Sequence, residues 1–176
     1  HPAVERYKQA QKAVTEDPDA NRAMADFERQ LETLTRQEQA GMPITDAQRQ
    51  QLEEVQSRIV SNIKVKALNL ALLEEMERDP DVVIIGEDVG VDGGVFRVTE
   101  DLHRRFGGRR VIDSPLAEAG IIGASIGMAL YGLKPVSEIQ FSGFAFQCFH
   151  QIENHAARYR QRSQSRFHCQ MVMRMP

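Results

Sequence analysis

Cysteine is scarce in this chain. The two present, Cys148 and Cys169, are too far apart for a Cys-x-x-Cys pair and lack the companions a zinc site needs. No metal set is expected, and both read as buried thiols in a reducing compartment. Long apolar runs are missing too: the longest weakly polar stretch, Gly120 to Leu133, is about fourteen residues, short of the roughly twenty that span a bilayer. Charge of one sign is equally absent. The net charge is -3 with 27% charged residues and no block of five or more like charges, which argues against nucleic acid and against a polybasic membrane contact. No secretory signal is visible, and a start at His1 rather than methionine leaves a preceding segment open. These absences predict a soluble, cytoplasmic protein.

Glycine is missing from one part of the chain in particular. Residues 1–63 contain only Gly41 and are rich in Gln, Glu, Arg and Ala, whereas every other glycine and most β-branched runs lie beyond. A chain of 176 residues can hold one domain or two small modules. The shift in composition predicts two, a helical module over 1–63 and an α/β module over 64–176.

Periodicity and proline organise the first module. Val4, Tyr7 and Val14 share one side of an opening helix that ends near Asp17-Pro18-Asp19, where Pro18 stops one helix and pre-sets the next. Ala20, Met24, Phe27, Leu31 and Leu34 then form an apolar stripe that stops at Gly41. Thr45 and Gln48 make a capping-box pattern, and Leu52, Val55 and Ile59 continue the seam. The expected result is an antiparallel helical hairpin with one apolar face, a core or dimer seam that no catalytic group interrupts.

A helix over Val65 to Arg78, with Val65, Leu68, Leu72 and Met76 on one face, fits either module and ends at Asp79-Pro80. Beyond it the period alternates. Val82 to Ile85 reads as a strand, Thr99 as the cap of a helix to about Phe106, Gly107-Gly108 as its end, and Arg110 to Ile112 as a short strand. Ser114 as N-cap and Pro115 at the first helical position open a helix to about Tyr131. A strand over Pro135 to Phe141, a helix over Phe146 to Ser163 and a strand over His168 to Arg174 complete the series. Such alternation predicts a parallel sheet covered on both faces, with ligands at the carboxyl ends of its strands. Gly86-Glu87-Asp88 and Asp113 to Glu118 fall at such ends. Gly120, Gly123 and Gly127 share a helical face and read as allowing close backbone approach, in helix packing or at a subunit interface. Arg158, Arg160, Arg162 and Arg166 read as a helix face meeting solvent or a subunit.

Two resemblances add to this. The run HPAVERYKQAQKAVTEDPDANRAMADFERQ with GMPITDAQRQQLEEVQ resembles the YlbF/YmcA family, small helical regulatory proteins that self-associate and act through protein partners. The blocks GEDVGVDGGVFRVTEDL, RVIDSPLAEAGIIGASIGMALYGLKPVSEIQFSGF and NHAARYR resemble the beta subunit of thiamine-diphosphate-dependent 2-oxoacid dehydrogenase E1 components, acting on pyruvate or branched-chain 2-oxoacids. The resemblance implies a transketolase-like pyrimidine-binding domain that the chain leaves incomplete at Pro176, before the region supplying a catalytic histidine and the last strands.

The second resemblance implies roles for particular residues. Glu118 matches the glutamate that hydrogen-bonds the pyrimidine N1′ of thiamine diphosphate, a role that needs a carboxyl kept partly neutral by burial. Read alone, Glu118 is simply an acid in a first helical turn, where the dipole favours it. Phe144 matches the aromatic that packs on the cofactor pyrimidine, though a lone Phe is usually plain core. Glu87, at the same end of the sheet, supports the site or is a solvated loop carboxylate. In the family, the diphosphate and its magnesium are held by an alpha subunit, and no Gly-Asp-Gly with a distant Asn occurs here. The implied partners are an E1 alpha subunit, a 2-oxoacid and a lipoyl-carrying E2, with no activity expected for the chain alone. The sequence departs from the pattern at His150, where aspartate is usual, at Glu153, at Gln170, and at Gln147-Cys148. The other reading is a helical interaction protein whose α/β part is inert.

Overall fold

The computed structural model describes residues 2–175. The side chains of residues 2–7 and Val60 are outside that description, so the expectation for Val4 and Tyr7 lies outside the described residues. The chain forms two compact units, the first reaching Ala71 and including Phe96–Val98, the second comprising Leu72–Val95 and the residues from Thr99 onward.

The helical unit contains α1 (Pro2–Thr15), α2 (Pro18–Gln39), α3 (Asp46–Ser61) and the first part of α4 (Ile63–Arg78). Asp17 caps α2, accepting the backbone N–H of Asp19 at 3.0 Å and of Ala20 at 3.4 Å, with Pro18 inside the first turn as expected. Its other oxygen receives Lys64 Nζ at 3.1 Å and Asn62 Nδ2 at 3.3 Å. Lys64, then the Asp19 amide and Asn62, hold the Asp17 carboxyl down at about 2. The capping box of Thr45 and Gln48 is formed at the start of α3. A hydrogen bond from Gln48 Nε2 to Gln37 Oε1 (2.8 Å) ties the facing ends of the α2–α3 hairpin. Ala20, Met24, Phe27, Leu34, Val55 and Ile59 are buried on the predicted seam, and Leu31 is half-buried. Phe96 meets Phe27 edge-on, with ring centroids 6.1 Å apart.

In the second unit, β1 (Val82–Gly86), β2 (Val111–Asp113), β3 (Lys134–Glu138) and β4 (Val172–Arg174) form one sheet in the order β2-β1-β3-β4, with every pairing parallel. β1 is buried at each position, which requires cover on both of its faces and explains its unbroken apolar run. Helix α6 (Glu118–Leu130) packs on β1 and β3. Ile121, Ile122 and Ile126 of α6 join Ile85, Ile139 and Cys148 in one apolar cluster. Leu72 and Met76 of α4 are buried, and the Arg110 guanidinium donates to the carbonyls of Met76, Asp79 and Val82.

The expected class holds, but several boundaries differ. Thr99 does not cap α5 (Leu102–Phe106): its hydroxyl donates to the Val89 carbonyl at 2.8 Å, and Asp101, at φ 65°, precedes the helix. Ser114 and Pro115 do not open α6, because the Ser114 N–H is held by the Gly86 carbonyl at 2.8 Å and continues the strand pairing. The helix starts at Glu118 after an uncapped Ala117. β3 stops at Glu138, three residues short of Phe141. The long helix expected from Phe146 to Ser163 is broken into a 3₁₀ turn (Ser142–Phe144), α7 (Ala145–His150), a π-helical segment (Gln151–Ala156) and α8 (Tyr159–Arg162). Positive φ at Gln164 and Ser165 ends it, and Arg158 is paired with Glu153 at 2.8 Å.

Candidate active site at the carboxyl rim of the sheet

Gly86 pairs with Asp113 on one side and Glu138 on the other, so β1, β2 and β3 end level. Whatever follows each strand is therefore delivered to one rim. A Cβ on Gly86 would come within 2.9 Å of the Glu138 carbonyl, so the central strand can end there only as glycine.

After β1 come Glu87 and Asp88. Glu87 is half-buried, and its carboxyl is pushed up by burial first and then by the charges of Asp88 and Glu118. Asp88, at φ 56°, accepts Gln140 Nε2 at 3.0 Å. After β2, the Asp113 carboxylate accepts the Gly90 N–H at 2.5 Å, fastening the loop that follows β1. Glu118 then opens α6. It is 4% exposed, and its carboxyl makes no hydrogen bond or ion pair among the described residues.

After β3, Phe141 is buried and Phe144 half-buried, their rings edge to face at 5.5 Å and 89°. Phe144 also packs against the cluster that holds Ile121 and Ile122. Glu118 and Glu87 are thus close enough for their charges to act on each other, whereas the ring contact of Phe144 is with Phe141. Of the thiols, Cys148 is fully buried, donates to the Ala145 carbonyl at 3.3 Å and is pushed up by burial; Cys169 is only half-buried. The expected close approach at Gly120, Gly123 and Gly127 is not made within the described residues. A side chain would meet nothing at Gly127 and only ordinary contacts at the other two.

Sequence reasoning missed the buried pair of Glu138 and Arg174, each 3% exposed in its side chain. Glu138 Oε2 takes the guanidinium and Oε1 has no partner. The available signal was one charge of each sign inside the apolar runs VSEIQF and MVMRM. Also missed was a hydroxyl pair joining α6 to the sheet: Ser137 Oγ donates to Ser125 Oγ at 2.7 Å, and Ser125 Oγ to the Ile121 carbonyl at 2.7 Å, both residues fully buried. Among the described residues no group of three or more His, Cys, Asp or Glu side chains could hold a metal ion, and no helix is long and apolar enough to cross a membrane.

Residues 64–176 match the family described as transketolase, pyrimidine binding domain. The chain belongs to the transketolase pyrimidine-binding family. Residues 1–76 match a second family, described as control of competence regulator ComK, YlbF/YmcA. Among curated relatives, the pyruvate dehydrogenase E1 component subunit beta of Acholeplasma laidlawii is 48% identical over 112 residues, 64% of this chain and 34% of the relative. That of Leifsonia xyli is 50% identical over 125 residues, 71% and 37% of the two chains. The 2-oxoisovalerate dehydrogenase subunit beta of Bacillus subtilis is 48% identical over 112 residues, again 64% and 34%. The chain spans about a third of the length of these relatives. Both sequence resemblances are thereby borne out at the level of family.

Proposed function

We propose that the rim of the α/β unit is the pyrimidine side of a thiamine diphosphate site, in the beta-type portion of an E1 component that oxidatively decarboxylates a 2-oxoacid together with an alpha subunit. Glu118 carries this reading: an acid only 4% exposed as a residue, unpaired among the described residues, on the first turn of a helix inside the matched region. Such a group lacks a polar partner and would gain one from a heterocyclic ring nitrogen. The residues present therefore fit the pyrimidine ring. Thiamine diphosphate, when bound, supplies the electron sink for decarboxylation.

This chain's own residues would orient and protonate. Glu118 would hold a proton at pyrimidine N1′. Glu87, its carboxyl kept high by burial, Asp88 and Glu118, would limit like-charge repulsion beside it. Phe144, steadied edge-on by Phe141, would offer an apolar wall that excludes water from the ring. The diphosphate and magnesium would be held by the alpha subunit, without which the chain is inactive, and a lipoyl-carrying E2 would accept the acyl group. Residues 1–63 would serve as a separate, self-associating helical module and 64–176 as the cofactor module, in the cytoplasm.

The test is co-expression with an E1 alpha subunit and calorimetric titration with thiamine diphosphate and magnesium. Binding and 2-oxoacid decarboxylation should appear in the complex and be lost in Glu118→Gln. Equal binding and turnover in that variant would refute the assignment. A complex that never forms, with self-association alone remaining, would favour the helical interaction reading that the match over residues 1–76 supports.

A further inference from the structure

Two of the five histidines meet. His150 closes α7, and His155 lies in the π-helical segment after it. Their ring centroids are 5.5 Å apart, with planes at 80°. In an α-helix of 3.6 residues per turn, residues five apart diverge by roughly 140° about the axis. The π turn, closed by a hydrogen bond from the Ala157 N–H to the Ile152 carbonyl at 2.9 Å, returns the fifth residue over the first. His150 is exposed and His155 half-buried. Glu153, between them, is paired with Arg158.

We propose that His150 and His155 form a two-imidazole chelate for a divalent transition ion of the zinc, nickel or copper class, using side chains to which the cofactor reading gives no role. The ring spacing suits it. A metal–nitrogen distance of about 2.0–2.1 Å, plus about 1.1 Å from ring nitrogen to ring centre, puts two ring centres about 5.2 Å apart at a tetrahedral angle. The observed 5.5 Å needs only a slight opening of that angle. Imidazole is the side chain these ions share a preference for. No third His, Cys, Asp or Glu completes the set among the described residues, so water or an outside ligand fills the remaining positions and the ion exchanges freely.

Binding is coupled to backbone geometry, because only the π turn brings the two rings together. The ion therefore favours that turn over a straight helix and holds the segment carrying Gln151, whose amide lies 3.5 Å from where a side chain on Gly123 of α6 would begin.

The test is calorimetric titration of the full, chelator-stripped chain with Ni²⁺, comparing the native protein with His150→Ala, His155→Ala and, as control, His103→Ala. One ion per chain is expected, weakened about tenfold or more in each of the first two and unchanged in the third. Native-like affinity in either His150→Ala or His155→Ala overturns the proposal. A measurement free of variants accompanies it: Ni²⁺ should protect both His150 and His155 of the native chain from diethylpyrocarbonate, read by mass spectrometry. Modification of both at the unprotected rate overturns it equally.

Discussion

Replacing Arg174 by methionine should destabilise the α/β unit by about 3–5 kcal/mol, the usual cost of leaving one member of a buried ion pair behind. The side chain of Glu138 is 3% exposed, and its Oε1 already lacks a partner. Arg174→Met removes the guanidinium from the other oxygen, so a whole carboxylate is left in a dry interior. For a unit of about 100 residues each kcal/mol lowers the melting temperature by about 4–8 °C, giving a loss of roughly 12–40 °C. Exchanging both partners, Glu138→Leu with Arg174→Met, removes the desolvated charges together and should return to within about 1–2 kcal/mol of the parent. Urea unfolding followed by far-UV circular dichroism measures the pair of variants. Amide exchange isolates the sheet from the helical unit, with the Ile139 N–H, bonded to the Arg174 carbonyl at 2.9 Å, as reporter. A single variant costing under about 1 kcal/mol, or a double variant no better than the single, would refute the reasoning.

Glu118→Gln should abolish cofactor binding in the complex, and His150→Ala and His155→Ala should each weaken nickel affinity, both read by calorimetric titration. Gly93→Ala should cost about 1–3 kcal/mol in thermal unfolding, since Gly93 has φ +73° and an added Cβ would sit 2.8 Å from the Glu100 Cα. An unchanged melting temperature would contradict that close approach. The Asp17 carboxyl is held at about 2 against an ordinary value of 3.8. Because the folded value is the lower one, its contribution is complete above 3.8 and is lost as pH falls toward about 2. Acid unfolding of the helical unit should therefore be shallower in Asp17→Asn between those limits, and parallel acid profiles would count against the Lys64 and Asn62 contacts.

What the sequence disclosed best was whatever is decided within one turn of chain. Asp17-Pro18, the Thr45–Gln48 capping box and the stripe Val65, Leu68, Leu72, Met76 all lie where local rules place them, because cap geometry and helical period need no distant partner. Ser114-Pro115 misled for the opposite reason. It carries a good local start signal, but the Ser114 amide is claimed by Gly86, twenty-eight positions earlier, and sheet pairing overrides the cap. Thr99 was lost in the same way to the Val89 carbonyl. The break at Gln151–Ala156 leaves no composition signal, since neither proline nor glycine marks it. At the rim, the alternation of strand and helix puts Glu87 and Glu118 at the carboxyl ends of strands, whereas the cofactor roles of Glu118 and Phe144 come from the family resemblance. Burial of Glu118 and its influence on Glu87 emerge only from the three-dimensional arrangement.

The Ser137–Ser125 contact has a consequence for the far end of its helix. Greasy surfaces tolerate sliding, because an isoleucine resting on a strand loses little by moving along it, but a hydroxyl meets its mate in one place only. Ser125 stands about two turns along the same rod as Glu118, so it acts as an index mark for the helix. A slip of one residue would carry the acid about 1.5 Å along the axis and strand two oxygens in a dry interior. Where the carboxyl sits is thus set by a pair of serines that never touches it.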